Sequence, residues 1–234
     1  MSTAPSTPSG NTAGLSAEDI HALNQKYAEL NFARRIEALY GDFDPAKVLV
    51  TSSFAATSAY FLHIISRIRP QQEITFIDTG FHFPETLRYK DYLVELFGLK
   101  VVDLNAEDWK HEFTERERTY ESDPDFCCSI NKVEPLEAIK GRYHVWVSSL
   151  MRWQTEHRAG LDFIEERRGI LKFNPMLDVT KDERDAYIRQ HRLPFHPLVA
   201  EGYLSIGCSH CTRPGDERSG RWANKPKTEC GLHL

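Results

Sequence analysis

The sequence predicts an α/β fold built on a doubly wound, mostly parallel sheet. Short β-prone runs at residues 47–50, 74–77 and 100–104 alternate with segments of helical periodicity, the spacing of βαβ units. The chain has 234 residues, 41% hydrophobic and 27% charged, which suits one domain with a sizeable core. Its last 28 positions are poor in core-forming residues but hold three of the five cysteines, so they serve something other than packing.

Ser16 to Asp19 reads as a capping box, and Ile20, Leu23, Tyr27 and Leu30 follow at helical spacing, predicting one helix that ends near Tyr40 and Gly41. Residues 47–50 form a strand, broken by Thr51, Ser52 and Ser53, and a second helix occupies 55–68 before Pro70. The next strand, 74–77, ends in Asp78-Thr79-Gly80. Pro84 opens a helix that runs to Phe97, with Gly98 just past its end. A third strand covers 100–104. The charged segment 106–126 is read as helical with a loop at 122–124, followed by a short helix at 133–139. Strands are expected at 143–147 and 170–173, and a helix at 182–191 stopped by Leu193-Pro194.

A net charge of −5 argues against a general nucleic-acid binder, and no apolar run is long enough to span a membrane. The Ser/Thr/Pro/Gly-rich start has neither a basic beginning nor a hydrophobic stretch. It reads as a disordered tail over 1–15 rather than a secretory signal. The remaining chain divides into an α/β domain at 16–206 and a C-terminal segment at 207–234. An odd cysteine count in a chain of this size does not suggest a disulfide framework. It suits a reducing cytoplasm, where clustered cysteines bind metal or do chemistry.

Cys208-x-x-Cys211 has metal-ligand spacing, and the other close pair is the adjacent Cys127-Cys128. Pairing the two doublets leaves Cys230 alone. Four thiolates suit a structural zinc or an iron–sulfur cluster, and spacing does not choose between them. Cys230 follows Arg218, Arg221, Lys225 and Lys227 and precedes His233, a setting that favours a nucleophilic thiolate. Arg218 and Arg221 would lie one turn apart on a helix, a clamp for a phosphate. Lys132, just after the doublet, is placed to neutralise a cluster or an anionic substrate. Ser52, Ser53 and Ser58 bracket a strand-to-helix turn whose free N–H groups suit an anion, with plain helix capping as the competing reading. Thr79 sits at a strand's C-terminal end, where open sheets bind ligands.

Together Cys127-Cys128-Ser-Ile-Asn-Lys132, Gly207-Cys-Ser-His-Cys-Thr-Arg-Pro214, Gly220-Arg-Trp222 and Glu229-Cys-Gly-Leu-His233 resemble the assimilatory adenylyl-sulfate reductases, within the wider PAPS reductase group. Further landmarks are Phe76-Ile-Asp-Thr-Gly80, Phe83-Pro-Glu-Thr86 and Lys172-Phe-Asn-Pro175, so the resemblance runs from about Val48 to the end. It implies an adenine-nucleotide α-hydrolase-like sheet. Residues 53–58 correspond to the Ser-Gly-Gly-x-Asp-Ser loop of ATP pyrophosphatases, with Thr57 in place of the acid and Ala55 in place of a glycine. That loss fits a protein that binds an adenosine phosphosulfate without cleaving ATP.

By the same resemblance Cys230 is the nucleophile that attacks the sulfur of adenylyl sulfate, and thioredoxin or a glutaredoxin-like donor then releases sulfite. Lys132, Arg152, Arg218 and Arg221 match the family's basic substrate-binding positions, and His233 belongs to the same C-terminal motif. Cys127, Cys128, Cys208 and Cys211 match the ligands of a [4Fe–4S] cluster, whose presence favours adenylyl sulfate as substrate over PAPS. At Ser148-Ser-Leu-Met-Arg152 the chain departs from a Thr-Gly-x-Arg-Arg pattern, because Met151 replaces the first basic residue. PAPS reduction is the alternative within this class. An ATP-dependent tRNA-thiolating enzyme and a zinc-stabilised binding module are the readings outside it. A homo-oligomer is compatible with the chain.

Overall fold

The computed structural model describes residues 15–223, 225 and 227–233. Apart from Leu15, which packs against the main core, the expected N-terminal tail lies outside the described residues. In chain order the elements are α1 (Ala17–Ala28), α2 (Phe32–Asp42), β1 (Val48–Thr51), α3 (Ser58–Ile68), β2 (Glu73–Asp78), α4 (Pro84–Phe97) and β3 (Lys100–Asn105). There follow α5 (Asp108–Arg116), α6 (Thr119–Ser122), α7 (Pro124–Cys128), α8 (Glu134–Lys140), β4 (Val145–Val147), α9 (Glu156–Ala159), β5 (Ile164–Arg167), β6 (Ile170–Phe173) and α10 (Lys181–Gln190).

The six strands form one sheet in the order β3-β2-β1-β4-β6-β5. All neighbours are parallel except β5, which returns antiparallel on β6 with Ile164 opposite Phe173. The doubly wound expectation holds, with an antiparallel edge strand that the sequence reading did not include. Along β1 the side chains alternate between faces, as a pleated strand requires. Val48 and Val50 join the main core with Phe61, Leu62 and Ile65 of α3, whereas Leu49 packs on the other face with Trp146 and Leu136.

The single helix expected up to Tyr40 is two. Asn31 accepts a bond from the Arg34 N–H and caps a new start, so the chain turns between α1 and α2. Similarly, α3 begins three residues later than expected, at Ser58. The capping box at Ser16 and Asp19 is present, and α4 runs from Pro84 to Phe97 with Gly98 in the left-handed conformation after it.

Arg35, on α2, is fully enclosed. Its guanidinium donates to the Tyr27 and Pro175 carbonyls and to both Asp178 oxygens, and it lies 3.9 Å over the Phe163 ring. It ties the first two helices to the loop after β6. An Arg35→Ala change strands two carbonyls and opens a void, and is expected to lower stability by about 3 kcal/mol in urea unfolding. A loss under about 1 kcal/mol would show that the contact is not structural.

Candidate active site

In the order β3-β2-β1-β4-β6-β5 the direction of winding reverses between β1 and β4. Open sheets bind ligands at this switch, beyond the strands' carboxyl ends. A cleft lies there, lined by Ser52, Ser53 and Ser58 after β1, by Ser148 and Ser149 after β4, and by the C-terminal segment.

The loop 52–57 leaves β1 tightly. Ser52 Oγ accepts from the Phe54 N–H, and Phe54 itself takes a φ of +47°. That left-handed backbone costs a non-glycine residue about 1 kcal/mol, offset here by complete burial of the ring against Phe76. The result presents α3 with no side-chain cap on its first turn, so its N–H groups and dipole face the cleft that Ser58 lines. Ser52 and Ser58 are buried and Ser53 is exposed at the rim.

The start of the C-terminal segment is held against the sheet. A β-bridge joins Cys208 to His82, and the Ser209 N–H donates to the Phe81 carbonyl at 2.8 Å, so the CxxC loop is stitched to the end of β2. Cys208, Cys127 and Cys211 share an apolar patch with Phe81 and Tyr120. Cys128 follows Cys127 at the end of α7, and none of the five cysteines forms a disulfide. Thr79 does not line the cleft. Its hydroxyl lies 3.3 Å from Cys208 Sγ and accepts from the Phe81 N–H, so it supports a thiol rather than a ligand. Asn131 approaches Cys127 Sγ at 3.7 Å and is fixed by bonds to the Cys127 carbonyl, Thr114 and His111. Among the described residues no three His, Cys, Asp or Glu donors converge tightly enough to share one metal ion.

Residues 129–133, between α7 and α8, wind as a π-helical turn, just before and into the start of the short helix expected at 133–139. It places Lys132 in the cleft between the cysteine doublets and Cys230. Burial works against the Lys132 ammonium. Negative charge at Cys208, Cys128 and Cys230 outweighs it and holds the pKa above the ordinary lysine value. The thiols divide: burial pushes Cys128 up to about 11, whereas Lys132 and the Thr79 hydroxyl overcome burial at Cys208 and pull it down.

Arg218 and Arg221 both line the cleft, but from a run of turns rather than a helix. Arg221 packs 4.3 Å over Trp222, and burial with the neighbouring Arg158 pushes Arg218 down to about 10. Nε of each is buried without a protein partner among the described residues. These are the donors available to an anion. Lys225 and Lys227 turn away, bonding to Glu121 and Asp125. Arg152 is likewise not in the cleft: it donates to the Leu161 carbonyl and lies over Phe163. Cys230 and His233 are both in the lining, and His233 stacks on Trp146 at 5.3 Å. Burial and the nearby Lys172 keep His233 neutral, well below the ordinary histidine pKa. His82, whose pKa burial lowers to about 4, also lines the cleft.

Residues 47–214 match the phosphoadenosine phosphosulfate reductase domain. The chain belongs to that family. It is 38% identical over 221 residues to an adenosine 5'-phosphosulfate reductase of Mesorhizobium japonicum, covering 86% of this chain and 87% of that protein. A phosphoadenosine 5'-phosphosulfate reductase of Gloeobacter violaceus is 39% identical over 198 residues, covering 80% and 82%. The crystal structure of phosphoadenylyl-sulfate (PAPS) reductase from Candida auris, a phosphate complex, superposes with a TM-score of 0.73 at 27% identity, covering 86% and 98%. An FMN adenylyltransferase of Candida glabrata at 12% identity and a TM-score of 0.61, over 87% of this chain and 67% of that one, shares the fold alone.

Arg158, Trp146 and His82 are cleft residues that sequence reasoning missed. Arg158 sits on a one-turn helix too short to show periodicity, while Glu229 was visible in its motif without a role. Gly207 has a role that only geometry reveals. A Cβ there would meet the Arg221 guanidinium at 2.4–2.6 Å. Gly207→Ala should therefore displace Arg221 and weaken AMP binding about tenfold by calorimetry, the loss of one charge-assisted bond, with Tm unchanged. Unchanged affinity would remove Arg221 from the anion site.

Proposed function

We propose that the protein reduces adenylyl sulfate to sulfite and AMP, with Cys230 as nucleophile. The observation that carries this reading is the convergence of Cys230, Lys132, Arg218 and Arg221 on one cleft beside the uncapped start of α3. The Cys230 thiolate attacks the sulfate sulfur. The bond from that sulfur to the bridging phosphate oxygen breaks, and AMP leaves with the electron pair. An S-sulfocysteine remains. A thiolate of an external dithiol protein, thioredoxin or a glutaredoxin-like donor, then attacks Cys230 Sγ. Sulfite departs with the S–S electron pair, its sulfur reduced from the sulfate level, and the donor's second thiol resolves the mixed disulfide. Both steps bring anion to anion, so the three cations lower the barrier by neutralising charge already in place.

The four remaining thiols fit a [4Fe–4S] cluster better than one zinc ion. A single tetrahedral zinc needs all four sulfurs within about 2.3 Å of one point, whereas a cluster spreads its ligands over several irons. Cys127, Cys128, Cys208 and Cys211 would hold the cluster, Thr79 and Asn131 would support two of the thiolates, and the group would supply local charge next to Lys132. A cytoplasmic enzyme accords with this use of thiols.

Anaerobic sulfite release with thioredoxin, offering adenylyl sulfate and PAPS side by side, tests the substrate. A strong preference for adenylyl sulfate is expected, and a preference for PAPS would overturn the specificity while leaving the chemistry. Cys230→Ser is expected to abolish sulfite release without altering bound iron, and turnover at the wild-type rate would remove Cys230 from the mechanism. Cys208→Ala should lose iron and melt at lower temperature, since metal binding and folding are coupled. Full iron content in that variant would refute the ligand assignment.

A further inference from the structure

Arg158 lines the cleft beside Cys230, yet its guanidinium is taken up by protein. Its Nε and Nη2 each donate to a different Glu229 carboxylate oxygen at 2.7 Å, and Nη1 donates to Gln154 Oε1. Thr155 Oγ1 donates to Glu229 Oε1 at 3.0 Å, and Arg218 Nη2 reaches Oε2 at 3.5 Å and the Thr228 carbonyl at 2.6 Å. The side chains of the pair are only 7% and 2% exposed. Burial alone would raise the Glu229 pKa, but Arg158 and Arg218 overcome it and hold the carboxylate below its ordinary range.

Glu229 immediately precedes Cys230, and Gly231 immediately after it takes a φ of +85°. A fork-to-fork arginine–carboxylate pair fixes both separation and plane. One peptide link therefore transmits that geometry to the thiol. A pair of this kind has a second property. Losing one partner leaves a bare buried charge, but swinging both into water solvates both, so the contact can open at far lower cost than a deletion suggests.

We propose that Arg158 and Glu229 are positioning residues, a latch that seats the Cys230 thiol over the cleft for sulfo transfer and opens to let a dithiol protein reach the sulfonated sulfur. The role rests on Cys230 being the nucleophile. It separates the cleft's cations by role: Lys132 and Arg221 face the substrate, Arg158 holds the tail, and Arg218 does both, through its unpartnered Nε and through Nη2 on Glu229 and the Thr228 carbonyl.

The test uses the full-length chain, purified anaerobically, as wild type, Glu229→Gln and Arg158→Gln. Two rates are read: iodoacetamide modification of each cysteine without substrate, by peptide mapping, and single-turnover AMP release from adenylyl sulfate without reductant. Both variants are expected to react faster with iodoacetamide at Cys230 alone, while AMP release slows roughly a hundredfold, as for a misplaced reacting group. General loosening would expose Cys127 and Cys128 as well, so modification spread over several cysteines would overturn the latch. So would AMP release at the wild-type rate in Glu229→Gln, which is nearly isosteric and carries the test if Arg158→Gln fails to fold. A wild-type chain that releases no AMP would count against the proposed function, and the alkylation rates would still decide the latch.

Discussion

Lys132 has to hold its charge among thiols that come from the middle of the chain and from its C-terminal segment. Cys208, Cys128 and Cys230 hold its charge against burial, and Lys132 in turn pulls the buried Cys208 thiol down. The surrounding structure serves that requirement. The π-helical turn at 129–133 swings Lys132 into the cleft, Asn131 locks the turn to Cys127 and Thr114, and the stitch from Cys208 to His82 brings the second doublet alongside. Arg218 and Arg221 extend the positive field toward the uncapped end of α3.

The site combines strand ends with a segment held by side-chain contacts. Strand ends β1, β2 and β4, with the loops after them, form walls of the cleft, as expected at a switch point of a parallel sheet. Cys230 comes on a short segment anchored by contacts rather than by regular structure: Glu229 on Arg158, His233 on Trp146, and the His233 carbonyl on His157 at 2.8 Å. A two-step reaction that serves first a small buried substrate and then a bulky protein donor benefits from such a division.

Much of this was legible in the sequence because the signals were local. Alternating strands and helices, Pro84 and Gly98 around α4, and the cysteine doublets all express themselves within a few residues. What was not legible depended on three-dimensional partners. Thr79 sits at a strand end, as ligand-binding residues do, but its hydroxyl meets Cys208, a contact set by the fold of the C-terminal segment. Arg152 keeps a basic position of its motif while its side chain turns to Leu161 and Phe163. Arg158 lies in a four-residue helix with no periodic signal, and its partner is 71 positions away. Asn31 split an apparently continuous helix because a single cap outweighed the hydrophobic spacing around it.

The central claim is that sulfur passes through Cys230. It is tested most directly by incubating the reduced protein anaerobically with adenylyl sulfate and no thiol donor, then mapping the adduct by peptide mass spectrometry. The account predicts a sulfonate on the peptide containing Cys230, with one AMP released per adduct. Sulfite or AMP formed without any adduct, or an adduct confined to another cysteine, would contradict it.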